Sequence, residues 1–323
     1  MTADWRPGAS LDVLKQRALL LGRIRTFFSD RLVMEVDTPA LAAAGVTAPH
    51  LASLTTRCLL PEAAARTLYL QTSPEYAMKR LLAADSGPIY QICKAFRDAE
   101  TGRLHNPEFT LLEWYRPGFD YLDIMAEVED LLRYVLGCDY CDRLTYADAF
   151  RRYVALDPLR ATTFDIEAAA ANAGLSLNRT TGLDRDGWLD LILTHEIAPL
   201  LGRHRPVFLC HYPASQAALA RTVPCADPPL AERFEVFIGG VEIANGCCEL
   251  TDPSEQRRRF AAEGDRRAAI GLPAVPIDER LLGALQAGLP ECAGVALGIE
   301  RLLMVMNASS RIGDVLSFDI SRA

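Results

Sequence analysis

Within residues 11–31, apolar residues recur at every third or fourth position, which predicts an amphipathic helix with Ser10 as its N-cap. Its expected buried stripe is Leu14, Ala18, Leu21, Ile24 and Phe28, and the stripe expected for residues 120–136 includes Leu122. The segment of about residues 143–205 is rich in alanine and predicts a helical insertion within one large domain. Similar spacing predicts helices over residues 76–82, 120–136, 253–270, 277–287 and 299–306. Runs rich in β-branched and aromatic residues predict strands over residues 33–38, 68–72, 89–96, 109–115 and 206–212.

The most informative pattern is a pair of apolar runs around a polar loop, FRDAETGRLHNPEFTLLEWY, residues 96–115. Such a pair predicts two antiparallel strands. Because side chains alternate between the faces of a strand, Glu113 and Tyr115 share one face with Phe109, whereas Trp114 lies on the other. Two interpretations of Glu113 stay open: it lies on a solvated strand face, or it belongs to a binding site.

A second hairpin is predicted by ERFEVFIGGVEIANGCCEL, residues 232–250. Consecutive glycines at its centre are typical of a two-residue turn, which pairs Phe237 with Glu242. Glu235 has the same facing as Phe237, so Glu235 and Glu242 are diagonal neighbours about 7 to 8 Å apart. The facing of Glu249 cannot be counted, because the Asn-Gly pair before it is expected to break the alternation.

Two carboxylates at that separation repel each other unless a positive group lies between them. Mg²⁺ is a suitable occupant, because it binds through one or two carboxylates together with substrate phosphates. The alternative is that Glu235 and Glu242 lie on a solvated sheet face.

Two predicted helix starts carry candidate binding groups. Ser73 followed by Pro74 predicts a helix with Ser73 as N-cap and Pro74 as its first residue, and Glu75 in that turn either complements the helix dipole or binds a ligand. Near the C-terminus, Gly298 lets the backbone approach a ligand closely, and Arg301 lies in the first turn of a predicted helix. The dipole disfavours a cation at that end, so an arginine there indicates a bound anion.

Composition narrows the class of protein. The chain has 323 residues, half of them hydrophobic, which is enough for a large core. There is no apolar run long enough for a membrane span and no signal-peptide pattern, so we expect a cytoplasmic protein. Nine cysteines suit a reducing compartment, and the lone Cys138-x-x-Cys141 pair lacks further ligands at zinc spacing. The net charge of −8 argues against broad adhesion to nucleic acid, while a local basic patch stays open.

Three segments together resemble the class II aminoacyl-tRNA synthetases, and specifically their lysyl branch. LVMEVDTPAL is similar to the first motif of that family, which forms its dimer interface. The second motif resembles FRDAETGRLHNPEFTLLEWY, and the third resembles GVALGIERLL. The resemblance implies an α+β fold, with a mainly antiparallel sheet flanked by helices and with ATP bound in a bent conformation. It also implies a homodimer.

The resemblance implies a role for each matching residue. As catalytic residues, Arg97 would hold the α-phosphate of ATP and Arg301 the γ-phosphate. Other ATP-binding positions would be Asp98, Ala99, His105, Phe109, Glu242, Ile243 and Gly298. Glu235 and Glu242 would hold magnesium, in agreement with the predicted hairpin. The amino-acid substrate would contact Ser73, Pro74, Glu75, Glu113, Tyr115, Glu249 and Ala296.

These residue types suit the implied chemistry. The substrate carboxylate attacks the α-phosphate in line, and guanidinium groups with Mg²⁺ stabilise the charge that builds on the phosphoryl oxygens. No general base is required, because the nucleophile is already ionised. Acidic side chains around a lysine-like ammonium supply the pairing that a buried charge needs.

The chain departs from the lysyl-tRNA enzymes in two respects. Their usual FRNE sequence is FRDA here, so Ala99 stands where a glutamate would contact the adenine amino group; Glu100 or the backbone would have to replace it. The first catalytic helix is also predicted to begin by about residue 11, which leaves no room for an N-terminal anticodon-binding barrel.

That arrangement resembles a stand-alone branch of the family that attaches lysine, preferably the (R)-β isomer, to a lysine of elongation factor P. Ser73 and Ala296 match that branch, whereas the lysyl-tRNA enzymes usually have alanine and glycine there. The branch implies an ATP-dependent ligase that forms an aminoacyl-adenylate and makes no anticodon contact. Two alternatives stay open: an enzyme that lysylates a tRNA or a small molecule, and a catalytically silent paralogue that senses lysine.

Overall fold

The computed structural model describes residues 5–59, 65–175, 183–223 and 226–323. The helices are α1 Leu11–Ser29, α2 Glu75–Ala83, α3 Tyr121–Leu136, α4 Tyr146–Val154, α5 Thr163–Asn172, α6 Arg185–Ile192, α7 Pro253–Ala269, α8 Glu279–Gly288 and α9 Ile299–Met306. The strands are β1 Met34–Glu35, β2 Leu41–Ala42, β3 Thr55–Cys58, β4 Arg66–Leu70, β5 Ile89–Phe96, β6 Glu108–Pro117, β7 Asp142–Thr145, β8 Val207–Pro213, β9 Thr222–Val223, β10 Leu230–Ile238, β11 Val241–Cys248 and β12 Cys292–Gly298.

The chain forms two compact units, Met1–Phe119 with Thr251–Ala323, and Asp120–Leu250. The predicted insertion of residues 143–205 lies within the second unit, which begins earlier and ends later than that segment. None of the described helices has the length and apolar content that a membrane span requires.

Four of the described strands in the first unit lie side by side in the order β1, β5, β6, β12. Strand β1 runs parallel to β5, and the other neighbours are antiparallel. The predicted hairpin of β5 and β6 is confirmed, and its first strand spans the predicted residues 89–96. Only Met34 and Glu35 of the predicted strand 33–38 pair, so this strand is shorter than expected. A small separate sheet has the order β2, β4, β3.

Helix α1 buries apolar side chains at the spacing that its sequence predicts, but on a slightly different stripe. The predicted stripe held Leu14, Ala18, Leu21, Ile24 and Phe28, whereas the buried residues are Leu20, Ile24, Phe27 and Phe28. Phe28 stacks on Tyr90 of β5 with ring centres 4.5 Å apart and lies near Trp114 of β6. Ser10 caps the helix as predicted, since its hydroxyl accepts the N–H of Val13 at 3.3 Å.

The second unit contains four strands in the order β11, β10, β8, β7, with β9 beside β10. Its core combines residues of these strands with residues of α4, α5 and α6, among them Phe150, Trp188 and Leu209. Helix α3 begins at a capping box formed by Asp120 and Asp123 and ends at Gly137, whose φ of 73° is left-handed. Leu122, predicted on the buried stripe of α3, is exposed.

Candidate active site

One face of the first unit's sheet is defined by the register of β5, β6 and β12. Glu113 of β6 lies opposite Gln91 on one side and opposite Ala296 on the other. Tyr115 shares its face, because the Tyr115 hydroxyl donates to Glu113 Oε1 at 2.6 Å. The alternation predicted for this strand is therefore confirmed.

Glu113 is buried, with 2% of its surface exposed. Its second carboxylate oxygen, Oε2, accepts the hydroxyl of Ser73 at 2.7 Å. The interpretation of Glu113 as a solvent-facing strand residue is thus wrong. Hydroxyl donors on each oxygen fix the orientation of the carboxylate.

The turn before α2 places Ser73 and Glu75 on this face. The helix begins at Glu75 and Pro74 holds the N-cap position, so the predicted cap is wrong by one residue. Ser73 still accepts the N–H of Glu75 at 3.0 Å. Glu75 accepts a hydrogen bond from Lys79 Nζ at 2.6 Å, and Lys79 is 1% exposed. Sequence reasoning missed Lys79, although its spacing of four residues from Glu75 on a helix was a signal for the pair.

Gln91 and Cys93 of β5 also lie on this face and were not predicted. Thr38 donates its hydroxyl to Gln91 Oε1 at 2.9 Å, and the Nε2 atom of the buried Gln91 has no partner among the described residues. Burial, with a contribution from the Glu113 carboxylate, raises the pKa of the Cys93 thiol to about 12. The alternation of β5 was the available signal, since residues 89, 91, 93 and 95 share one face.

Four of the predicted ATP-binding residues form two contacts in the first unit. The Arg97 guanidinium lies 5.0 Å from the ring centre of Phe109, a cation–π distance. Arg301 Nη2 lies 2.8 Å from His105 Nε2. A guanidinium only donates, so the Nε2 atom of His105 accepts this hydrogen bond and carries no proton. The geometry brings Arg301 of α9 to the loop of the second motif, as the resemblance implies.

The turn after Arg97 contains Ala99, the position at which the resembling family usually has a glutamate. Ala99 has a left-handed φ of 60°, and its N–H donates to Asp98 Oδ1 at 2.9 Å. The carboxylate of Glu100 lies 3.7 Å from Arg97 Nη1. Glu100 therefore contacts the arginine expected on the α-phosphate. Arg97 Nε is buried without a partner among the described residues, so it retains a donor for a ligand.

Gly298 ends β12 immediately before α9. A Cβ atom added there would meet the nearest side-chain atoms of Arg301 at 3.8 Å, an ordinary van der Waals distance. Packing of the described residues does not require glycine at this position. We therefore infer that residue 298 is glycine because a ligand approaches the backbone closely there.

In the second unit, the hairpin of β10 and β11 has the predicted register at its tip, with Phe237 opposite Glu242. Val236 then pairs with Ala244, which leaves Ile243 as an extra residue in a β-bulge. The predicted break of alternation at Asn245 and Gly246 is wrong, because the break occurs at Ile243. Because of the bulge, Asn245 lies opposite Glu235, where an uninterrupted register would place Ala244.

Glu235 lies in a crowded polar environment. Arg233 Nη2 donates to Glu235 Oε1, and Asn245 Nδ2 lies 3.3 Å from the same oxygen. The Arg233 guanidinium also lies over the ring of Tyr212, 4.4 Å from its centre. Burial and the negative charge of Glu242 raise the pKa of Glu235 to about 7, against the opposing effect of Arg233. This mutual repulsion supports the predicted proximity of the two acids.

The chemistry of Glu235 and Glu242 fits Mg²⁺. Carboxylate oxygens are hard ligands, and a divalent cation would relieve the repulsion that raises the Glu235 pKa. Among the described residues there is no group of three or more acidic, cysteine or histidine side chains with metal-binding geometry. Two carboxylates therefore require further oxygen ligands, such as phosphate and water, which is the usual situation for Mg²⁺.

Glu249 follows β11 and is 3% exposed. The thiol of Cys247 lies 3.5 Å from Glu249 Oε1, and residue 249 forms a β-bridge with Ala220. The sequence left the facing of Glu249 open. In the structure, Glu249 is a buried acid of the second unit.

A family model described as tRNA synthetases class II (D, K and N) matches residues 2–322 of the chain. The chain belongs to the class II tRNA synthetases. This membership confirms the predicted α+β fold class. Curated relatives named elongation factor P--(R)-beta-lysine ligase are similar over their full length. The one from Edwardsiella ictaluri is 50% identical over 322 residues, which cover 99% of each chain. The one from Salmonella paratyphi B is 49% identical over 323 residues, 100% of this chain and 99% of the relative.

Proposed function

We propose that this class II synthetase is an ATP-dependent ligase that activates (R)-β-lysine or lysine as an aminoacyl-adenylate. It then transfers the aminoacyl group to the ε-amino group of a lysine on elongation factor P. The proposal rests mainly on one observation. The chain is 50% identical, over 99% of both chains, to a relative that bears the name of this ligase. The acidic face of the first unit independently supports a substrate with ammonium groups.

The amino acid is held by the acids and the residues around them. Glu113, oriented by Ser73 and Tyr115, pairs with an ammonium group that water no longer solvates. Glu75 supplies a second carboxylate, and the buried Lys79 limits the negative charge that accumulates beside it. The remaining contacts in this proposal come from Pro74, Glu249 and Ala296.

ATP is held by groups that match its charge and its ring. Arg97 binds the α-phosphate and Arg301 the γ-phosphate, while Phe109 stacks on the adenine and His105 lies near the phosphates. Arg301 exchanges its contact with His105 for a phosphate oxygen. Asp98, Ala99, Ile243 and Gly298 contribute backbone contacts. Glu235 and Glu242 hold Mg²⁺, which supplies positive charge to the phosphate oxygens when it is bound.

The reaction proceeds in two steps. The substrate carboxylate attacks the α-phosphorus, the bond to the β-phosphate oxygen breaks, and pyrophosphate leaves. The neutral ε-amine of the acceptor lysine then attacks the acyl carbon, and AMP leaves as an amide bond forms. Arg97 stabilises charge on the α-phosphate oxygens in the first step and on the leaving phosphate in the second.

The enzyme acts as a homodimer in this proposal. Along α1 and the adjoining β1, large apolar side chains are strongly exposed, including Leu11 and Leu19 at 69% and Leu32 at 87%. An interface would cover apolar side chains of this kind. A cytoplasmic location fits the cysteines, since all eight in the described part of the chain are free thiols.

The test is a transfer assay with two acceptors. Purified protein is incubated with ATP, Mg²⁺ and labelled (R)-β-lysine or lysine, together with elongation factor P or with bulk tRNA. We expect label on elongation factor P and none on tRNA, and we expect Arg301→Ala to abolish transfer. Label on tRNA alone would replace the proposed acceptor. Absence of amino-acid-dependent pyrophosphate exchange would favour the silent paralogue.

A further inference from the structure

Arg17 of α1 connects two elements that carry predicted ATP-binding residues. Its Nη1 donates to Glu300 Oε1 at 2.9 Å, and its Nη2 donates to the hydroxyl of Thr110 at 2.7 Å. The other oxygen of Glu300 accepts the backbone N–H of Thr110 at 2.8 Å. Glu300 and Thr110 are both buried. We call these three residues the Arg17 cluster.

Each partner of Arg17 adjoins a residue that the proposed function places on ATP. Thr110 follows Phe109 in β6, and Glu300 precedes Arg301 in the first turn of α9. Because neighbours in a strand alternate, Thr110 and the cluster lie on the face opposite to Phe109. Arg17 thus lies behind the ATP-binding face rather than on it.

The cluster links the start of α9 to strand β6. Pairing of β12 with β6 ends at Gly298 opposite Leu111, and the Glu300 carboxylate accepts the next N–H of β6, that of Thr110. The first turn of a helix has N–H groups without intrahelical partners, and α9 has no side-chain cap. The Glu300 carboxylate therefore ties the first turn of α9 to β6, and Arg17 neutralises that carboxylate.

We propose that Arg17 is a positioning residue for ATP, which holds Arg301 through Glu300 and Phe109 through Thr110. This inference rests on the proposed function, because it assumes that Arg301 and Phe109 bind the nucleotide. A buried carboxylate without a cation is unfavourable, so loss of Arg17 forces Glu300 to move or to take up a proton. Either change releases the first turn of α9 and with it Arg301.

A purely stabilising role for Arg17 makes a different prediction. Loss of folded protein lowers the apparent kcat for every substrate and leaves the KM values unchanged. A positioning role raises the KM for ATP, lowers kcat, and leaves the KM for the amino acid unchanged, because the acids of the amino-acid face do not contact the cluster. The ratio of the two KM values therefore separates the two roles.

The experiment measures amino-acid-dependent ATP–pyrophosphate exchange in Arg17→Met at a temperature where circular dichroism shows a folded protein. We expect the KM for ATP to rise about tenfold and kcat to fall about tenfold, with the KM for lysine within about twofold of wild type. Arg17→Lys keeps the charge but lacks the planar fork with which arginine contacts both partners, so its kinetic parameters should lie between those of wild type and those of Arg17→Met.

Arg25→Met is the matched control. Arg25 lies on the same helix and donates to Glu35, but both side chains are about half exposed and neither contacts α9. Its ATP parameters should equal those of wild type. If Arg17→Met and Arg25→Met give the same KM for ATP, the inference is wrong.

Two further measurements keep the inference testable. If Arg17→Met does not fold, Thr110→Val removes only the hydroxyl contact, and we expect about a threefold higher KM for ATP; an unchanged KM would contradict the inference. If wild-type protein shows no exchange, the proposed activity fails, and thermal stabilisation by a non-hydrolysable ATP analogue becomes the readout. Equal stabilisation of wild type and Arg17→Met would then overturn the role of Arg17.

Discussion

Glu113 of the first unit and Glu235 of the second are both buried strand glutamates, yet their surroundings differ in kind. Glu113 accepts hydroxyl donors on each oxygen, from Ser73 and Tyr115. Glu235 has a cation, Arg233, on one oxygen and a second acid, Glu242, nearby. Hydroxyl groups orient the first carboxylate, which suits the ammonium group of the proposed substrate. The second concentrates charge and suits a metal ion, so residue type alone does not assign a buried acid.

The largest expected effect is that of Glu113→Gln. The amide keeps the shape but has one acceptor oxygen instead of two, and it removes the charge that pairs with the substrate ammonium. We expect kcat/KM for lysine in pyrophosphate exchange to fall about a thousandfold, equivalent to about 4 kcal/mol. Glu108→Gln is the control, because Glu108 lies on the same strand but forms a half-exposed pair with Lys94. Equal activity of Glu113→Gln and Glu108→Gln would mean that Glu113 binds no ammonium.

Glu242→Gln tests the metal side of the comparison. Loss of one of two carboxylate ligands should weaken Mg²⁺ binding about 10- to 100-fold, and added Mg²⁺ should restore part of the exchange activity. The measurement is activity as a function of Mg²⁺ concentration. Glu232→Gln provides a control on β10, since Glu232 pairs with Arg221. A Mg²⁺ dependence unchanged from wild type would refute the assignment.

A smaller effect is expected for Tyr115→Phe, which removes one of the two donors to Glu113 and leaves the ring in place. The carboxylate then has more freedom and the substrate loses a neighbouring hydroxyl. We expect the KM for lysine to rise about tenfold while the KM for ATP stays within about twofold. A change in the KM for lysine and in the KM for ATP would show that the Tyr115 hydroxyl also affects ATP binding.

The smallest effect concerns the Cys93 thiol, which reports the charge of Glu113. Burial and the Glu113 carboxylate raise its pKa to about 12, so the thiol stays protonated at pH 8 and little thiolate is available. Iodoacetamide should therefore modify Cys93 slowly, at a rate that still rises between pH 8 and pH 10. Glu113→Gln removes the repulsion, lowers the pKa and speeds modification several-fold. Equal rates in the two proteins would indicate that Glu113 is uncharged.

Sequence reasoning succeeded where alternation was uninterrupted. The strand of residues 89–96 and the shared face of Glu113 and Tyr115 followed from period-two patterns. It failed at Ile243, because a bulge adds one residue without a distinctive residue type, whereas the nearby Asn-Gly pair offered a misleading turn signal.

The remaining misses concern tertiary contacts. The four-residue spacing of Glu75 and Lys79 was a signal for an ion pair, but lysine is rarely buried, so the burial of Lys79 was not predicted. Arg17 of α1 and Glu300 are 283 positions apart, and no pattern along the chain predicts their contact. The prediction of phosphate-binding residues came from the resemblance to family motifs, since periodicity assigns no ligand.

A crystal structure with a non-hydrolysable lysyl-adenylate analogue tests the central claim most directly. The account predicts the side-chain or β-ammonium of the analogue within hydrogen-bonding distance of Glu113 or Tyr115, and the phosphate surrogate on Arg97. An analogue bound with both ammonium groups turned away from the Glu113 face, or bound without Arg97, would contradict it.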